Sequence, residues 1–176
     1  NVAGAWFLVN AGVTFNLNNV VLDGNGKKLQ QGLRSHGATT INEVDFKNII
    51  NSTSPYVGFA VANFGGTVPG GAGSDTHGGS GGAPSALTIT NSTFTNIGRI
   101  GVLTKGTGAT ATLTGNTYTG KGNGTFLDYA FEFGAGGSGT VSGNTISGNR
   151  GIASDTSTSA GILVTDYIRN RNFGNY

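Results

Sequence analysis

Cysteine and methionine are both missing from this chain, proline occurs three times, and only 10% of the 176 residues are charged. Without thiols there is no disulfide framework and no thiolate metal site, and the usual marker of redox compartment is gone. The ten basic and eight acidic residues leave a net charge of +2 and lie scattered along the sequence. Nucleic-acid binding draws on a basic face or stripe, so the pattern argues against that partner. No apolar run reaches the length of a membrane span. No window carries an apolar stripe at helical spacing. The chain opens at Asn1 with no leader pattern, which fits a processed protein or a fragment.

What is abundant is glycine (33 residues), threonine (23) and asparagine (19). Glycine and asparagine tolerate the left-handed backbone of tight turns, and threonine suits strands. With 36% apolar residues the core has to be narrow and repeated. Five apolar pairs supply the repeat, each with members five residues apart: Leu17/Leu22, Ile41/Phe46, Ile89/Phe94, Leu113/Tyr118 and Val141/Ile146. The first members are 24, 48, 24 and 28 residues apart. A period near 24 with one double step is the signature of a solenoid. The fold expected is all-β, a parallel β-helix of five to six coils forming one domain over residues 1–176.

Each repeat reads as strand, short turn, strand, looser turn, third strand. In Thr88-Ile89-Thr90 or Thr112-Leu113-Thr114 one apolar residue sits between two polar ones, so one side chain points in and two point out. Asn19, Asn91, Asn116 and Asn144 fall where the chain bends, suited to left-handed turns and to amide bonding from coil to coil. Third strands are expected near residues 5–9, 59–61, 102–104, 130–133 and 162–164. Stacked at ~4.8 Å, the coils form a rod of roughly 24 Å. The 48-residue step holds one coil plus a Gly-rich excursion at residues 65–84, and residues 167–176 form a polar tail.

The segments Ile89-Thr-Asn-Ser-Thr-Phe94 and Val141-Ser-Gly-Asn-Thr-Ile146-Ser-Gly-Asn149 resemble coils of right-handed parallel β-helix proteins. Val21-Leu-Asp-Gly-Asn-Gly-Lys27 resembles an early coil of the pectin-lyase-like superfamily. That resemblance spans most of the chain but is fold-level. It implies either a polysaccharide-degrading enzyme or a tailspike, adhesin or surface fibre.

An enzyme of that kind needs paired carboxylates, or clustered acids with a basic proton acceptor. Asp128, Glu132 and Asp166 lie around third strands and are candidates for a shared face. The paired-Asp and Arg-Ile-Lys motifs that the resemblance calls for in a polygalacturonase are missing. Asp23 and Lys47 are expected as an outward ion pair on adjacent coils, and Glu43 in a turn. Arg34-Ser35-His36-Gly37 sets a guanidinium beside an imidazole on an expected turn, either a catalytic base pair or a polar turn facing water. Residues 70–75 match half of a calcium-binding nonapeptide, with Asp75 the candidate ligand, but that motif works in tandem copies. No cofactor is called for. Asn51, Asn91 and Asn123 head glycosylation acceptor patterns.

The outward threonines, Thr88, Thr90, Thr112 and Thr114 with Thr93, Thr95, Thr117 and Thr119 on the next face, form T-x-T rows of the kind found in ice-binding solenoids. Exposed strands favour threonine in any case, and the rows break at Asn16, Asn18, Asp45 and Lys47. At the N-terminus, Trp6, Phe7 and Leu8 follow no amphipathic cap. Bare terminal coils are sheet edges prone to association. The function expected is an extracellular or cell-surface structural or adhesive protein, self-associating through its terminal coils. A carbohydrate-active enzyme or glycan-binding surface is the alternative, with an ice-binding solenoid third.

Overall fold

The computed structural model describes residues 4–25, 29–50, 58–66, 83–122, 127–149 and 159–165. The first round of chain runs through β1 (Ala5–Val9), β2 (Thr14–Asn18) and β3 (Val21–Asp23). The second runs through β4 (Gln31–Ser35), β5 (Ala38–Asn42) and β6 (Asp45–Lys47). The third holds β7 (Phe59–Phe64), β8 (Ser85–Thr90) and β9 (Thr93–Thr95), and the fourth β10 (Ile100–Lys105), β11 (Ala109–Thr114) and β12 (Thr117–Gly122). The fifth holds β13 (Tyr129–Gly134), β14 (Ser138–Ser142) and β15 (Thr145–Asn149), and β16 (Ala160–Thr165) opens the next. Sheet A is β1-β4-β7-β10-β13-β16, sheet B is β2-β5-β8-β11-β14, and sheet C is β3-β6-β9-β12-β15. Neighbouring strands are parallel throughout and there is no helix among the described residues, so the fold is a parallel β-helix.

The apolar columns stand in register. Leu17 pairs with Ile41, Ile41 with Ile89, Ile89 with Leu113 and Leu113 with Val141. In sheet C the column is Leu22, Phe46, Phe94, Tyr118, Ile146. The Phe46 and Phe94 rings are 5.1 Å apart and within 2° of parallel, and Tyr118 continues the stack at 6.3 Å. The 48-residue step closes without a gap, because Ile41 and Ile89 are direct partners. The extra chain leaves between β7 and β8, where most of the Gly-rich excursion, like the tail 167–176, lies outside the described residues.

At the corner between sheets B and C the left-handed residue of each round is Asn19, Glu43, Asn91, Gly115 and Gly143, with φ between 50° and 68°. In the first four rounds its amide bonds the carbonyl of the next round, so the ladder runs through the bend. Asn116 and Asn144 do not take that role. They sit one position later, on the inside of the corner, where earlier rounds place Val20, Val44 and Ser92. Asn116 is 1% exposed and accepts the Ser92 amide at 2.9 Å, while its own Nδ2 donates to the Ile89 carbonyl at 3.0 Å and to Asn144 Oδ1 at 2.9 Å. Hydrocarbon packing gives way there to a ladder of amides.

Sheet A differs from the other two. The segment 31–35 was not expected as a strand, and Arg34 was placed on a turn. In fact β4 is a strand with all five residues buried. β7, β10 and β13 are likewise buried throughout, where sheets B and C alternate buried and exposed positions. The regular pairing of these strands skips a column of small residues that includes Gly32, Ala60, Gly101 and Ala130. A Cβ at Gly101 would lie 2.8 Å from the Tyr118 ring and 2.6 Å from the Ala130 carbonyl oxygen, so the close approach of sheet A to the aromatic stack requires glycine there. Val61, Val102 and Phe131 face the main core, whereas Phe59, Ala62, Phe64, Ile100, Leu103 and Tyr129 form a second apolar cluster on the opposite side.

The amide ladder makes a specific demand. Asn116→Ala leaves the Ser92 N–H and the Ile89 carbonyl buried without their partners, and is expected to cost about 3 kcal/mol in urea unfolding. Asn91→Gly, at an exposed left-handed position of the same corner, is expected to stay within about 0.5 kcal/mol of the parent.

Candidate functional site

Polar chemistry collects in two places: the far side of sheet A, and the corner between sheets C and A around Asp128. On sheet A, β4 contributes Gln31 and Arg34, with His36 just beyond the strand, while β10 contributes Lys105 and β13 contributes Tyr129 and Glu132. Strand register sets Arg34 beside Ala62, and Glu132 beside Leu103. The Arg34 guanidinium lies 4.7 Å over the Phe64 ring, and His36 stacks on the same ring at 5.7 Å. Arg34 Nε donates to His36 Nε2 at 3.0 Å. The imidazole therefore carries its lone pair on Nε2 and its hydrogen on Nδ1, which is buried without a hydrogen-bond partner among the described residues. Burial, and then the neighbouring Arg34 charge, hold the His36 pKa below the ordinary histidine value. The sequence had put this pair on a turn; it is an ordered cluster against an aromatic ring.

A base acts only if its lone pair is free to take a proton. That of His36 is engaged by Arg34, so the pair as it stands is a cation–aromatic clamp. Gln31, fully buried on the same strand, has both amide atoms without partners among the described residues.

Asp128 has no exposed surface. Its carboxylate accepts the Tyr118 hydroxyl at 2.7 Å, the Lys121 amide at 2.7 Å and Asn149 Nδ2 at 3.2 Å, and its own amide donates to Ser159 Oγ at 3.1 Å. Burial, the Asp128 charge and this hydrogen bond raise the Tyr118 pKa. Lys121 donates to the Gly98 carbonyl, and burial lowers its pKa against the opposing pull of Asp128. These bonds tie rounds four and five together. With its oxygens filled by protein donors and no path to solvent, Asp128 is an anchor of the coil stack.

Asp128 and Glu132 do not share a cleft. Asp128 points to Tyr118 in the main core, while Glu132 lies on the opposite side of β13 from the core residues Phe131 and Phe133. Asp166 and Asp75, with Asn51 and Asn123, lie outside the described residues. Asn91 is exposed on its turn, with Nδ2 donating to Asn42 Oδ1 at 3.2 Å. Asp23 and Lys47 are the outward partners expected, at 3.9 Å, with Asp45 at 3.7 Å from the same ammonium. The Asn48 amide and the Asn25 N–H, more than Lys47, lower the Asp23 pKa. Among the described residues no three His, Asp or Glu side chains group as metal ligands.

The outer faces of sheets B and C carry the threonine rows, and the structure separates them. Asp23, Asp45 and Lys47 all stand on sheet C. On sheet B the outward positions are threonine, asparagine, serine and alanine only. Compared with family models, curated proteins and solved structures, the chain matches none.

Two outcomes check these assignments. Because folding holds His36 below its unfolded value, the neutral ring is favoured in the fold. That stabilisation is complete above the ordinary histidine range and is lost as pH falls through the folded-state value. The urea midpoint should therefore fall on acidification from about pH 7.5 to about pH 5, and His36→Gln should flatten that slope. Tyr118→Phe removes one donor from a buried carboxylate and should cost about 2 kcal/mol without changing the circular dichroism spectrum.

Proposed function

We propose that this chain is a structural or adhesive rod of the cell surface or extracellular space, extended by stacking of coil on coil at its two ends. One observation carries the reading. The exposed large apolar residues among those described are Trp6, Leu8, Val13 and Val21 on the first round and Ile162 and Val164 on the last strand. Among the described residues, the second to fifth rounds present none. Among the described residues β1, β2 and β3, and β14, β15 and β16, are also the edge strands of their sheets, each with one backbone edge unpaired.

The columns prescribe the contact. Ile162 and Val164 continue the inward positions of Phe131 and Phe133. A following first round would set Phe7 on Ile162, and because β16 already opens a sixth round, sheets B and C take one further strand each before Leu17 and Leu22 continue the columns that end at Val141 and Ile146. Such a contact joins unlike surfaces of two copies, a head-to-tail arrangement that grows into a filament rather than closing as a dimer. In a longer polypeptide the same edges would take further coils of that chain, and the product is again a rod. The absence of oxidisable sulfur and the charge-poor Thr/Asn/Gly surface support an extracellular setting.

A second reading, a carbohydrate-active member of the pectin-lyase-like superfamily, draws on the Val21–Lys27 resemblance and on the gathering of Arg34, His36, Lys105 and Glu132 on sheet A. The engagement of Asp128 and of the His36 lone pair weighs against it.

Sedimentation velocity over rising protein concentration, with negative-stain microscopy, tests the rod. Growth into filaments is expected, with Leu8→Lys and Ile162→Lys each stopping it from opposite ends. A compact monomer at every concentration would sink the proposal. Sugar turnover abolished by Glu132→Ala would favour the second reading.

A further inference from the structure

The outer face of sheet B has a regularity that coil stacking does not require. Its five strands pair without a register shift. The central outward column is Asn16, Thr40, Thr88, Thr112 and Thr140, and the columns on either side add threonine, asparagine, serine and alanine. The array has no charged, aromatic or large apolar side chain. Its spacing is that of the backbone: ~4.8 Å from strand to strand and ~6.7 Å between columns, so it covers roughly 19 by 13 Å.

We propose that this face binds ice. A ligand for it has to be flat, uncharged, periodic in two dimensions and able to exchange hydrogen bonds at many points. A crystal of water meets each demand. The Thr88 and Thr112 hydroxyls have no protein partner among the described residues, so their bonds go to solvent. In the neighbouring column the hydroxyls are pinned from strand to strand, Thr90 to Asn42 at 2.7 Å and Thr114 to Ser142 at 3.2 Å. Threonine is stiff at χ1, and the backbone beneath is held on both sides by the ladder, so little order remains to be imposed on binding.

The chemistry of the face favours water over a polysaccharide because sugar rings are gripped by aromatic side chains, and sheet B presents none. It favours sheet B over sheet C because Asp23, Asp45 and Lys47 interrupt the latter.

Thermal hysteresis and inhibition of ice recrystallisation, measured on the purified protein, test the proposal. Because the rod reading is independent, the assays are repeated on Ile162→Lys, and activity should survive the loss of filaments. The paired change Thr88→Lys with Thr112→Lys should bring hysteresis to the buffer baseline with the circular dichroism spectrum unchanged. Thr95→Lys with Thr119→Lys, on sheet C, should leave it as in the parent. No hysteresis in the parent, equal loss from both faces, or retention on chitin or cellulose without hysteresis would each overturn the assignment.

Discussion

Register between successive rounds of backbone is the constraint on which the rest of this molecule depends. Each round bonds to the next through parallel ladders, and the bonding continues around the corner between sheets B and C through residues in the left-handed conformation. A slip of one residue would turn Ile41, Ile89 and Leu113, none of them exposed, out to solvent and bring threonines in. The five-residue spacing inside each apolar pair fixes where the corner falls. Given that, the side-chain columns, the neutral face of sheet B and the unlike ends are consequences of geometry.

The interior changes chemistry along the rod. Inside the corner between sheets B and C, Val20 and Val44 give way to Ser92, Asn116 and Asn144. At the next corner Ile49 and Ile97, both fully buried, give way to Lys121 and Asn149. Rounds one to three are thus held mainly by packing, and rounds four and five add buried hydrogen bonds that converge on Asp128. A buried carboxylate costs free energy unless its oxygens are satisfied, and here three donors satisfy it. The same convergence fixes its position against Tyr118 and removes it from chemistry at the surface.

The inward columns were legible in the sequence because residues such as Leu17, Ile41, Ile89 and Leu113 are each a lone apolar residue between polar neighbours. Strand β4 was not legible, because Gln-Gly-Leu-Arg-Ser buries both of its faces and so shows no alternation. For the same reason nothing in the local pattern announced the second apolar cluster on sheet A. The closeness of Arg34 and His36 followed from their spacing, but their common partner Phe64 is nearly thirty positions away and is brought in only by strand pairing. The asparagines of the corner looked equivalent, yet a shift of one position separates left-handed turn residues from buried amides. Composition does not encode that shift; the φ angles do.

In-register stacking also bears on how the neutral face of sheet B should be understood. A charged residue repeated down a column would place like charges ~4.8 Å apart, which destabilises a sheet. This alone gives sheet B a reason to avoid uniform charge, with no ligand involved. It does not forbid alternating signs, however, and sheet C uses that freedom where Lys47 stands beside Asp23 and near Asp45. Sheet B, with the same strand spacing and equal access to solvent, uses none of it over five strands. Nor does repulsion select threonine over serine or glutamine at Thr40, Thr88, Thr112 and Thr140. Strand propensity accounts for part of that preference. The unbroken run without a charge is the part it leaves over, and it is the part that a periodic, uncharged partner would require.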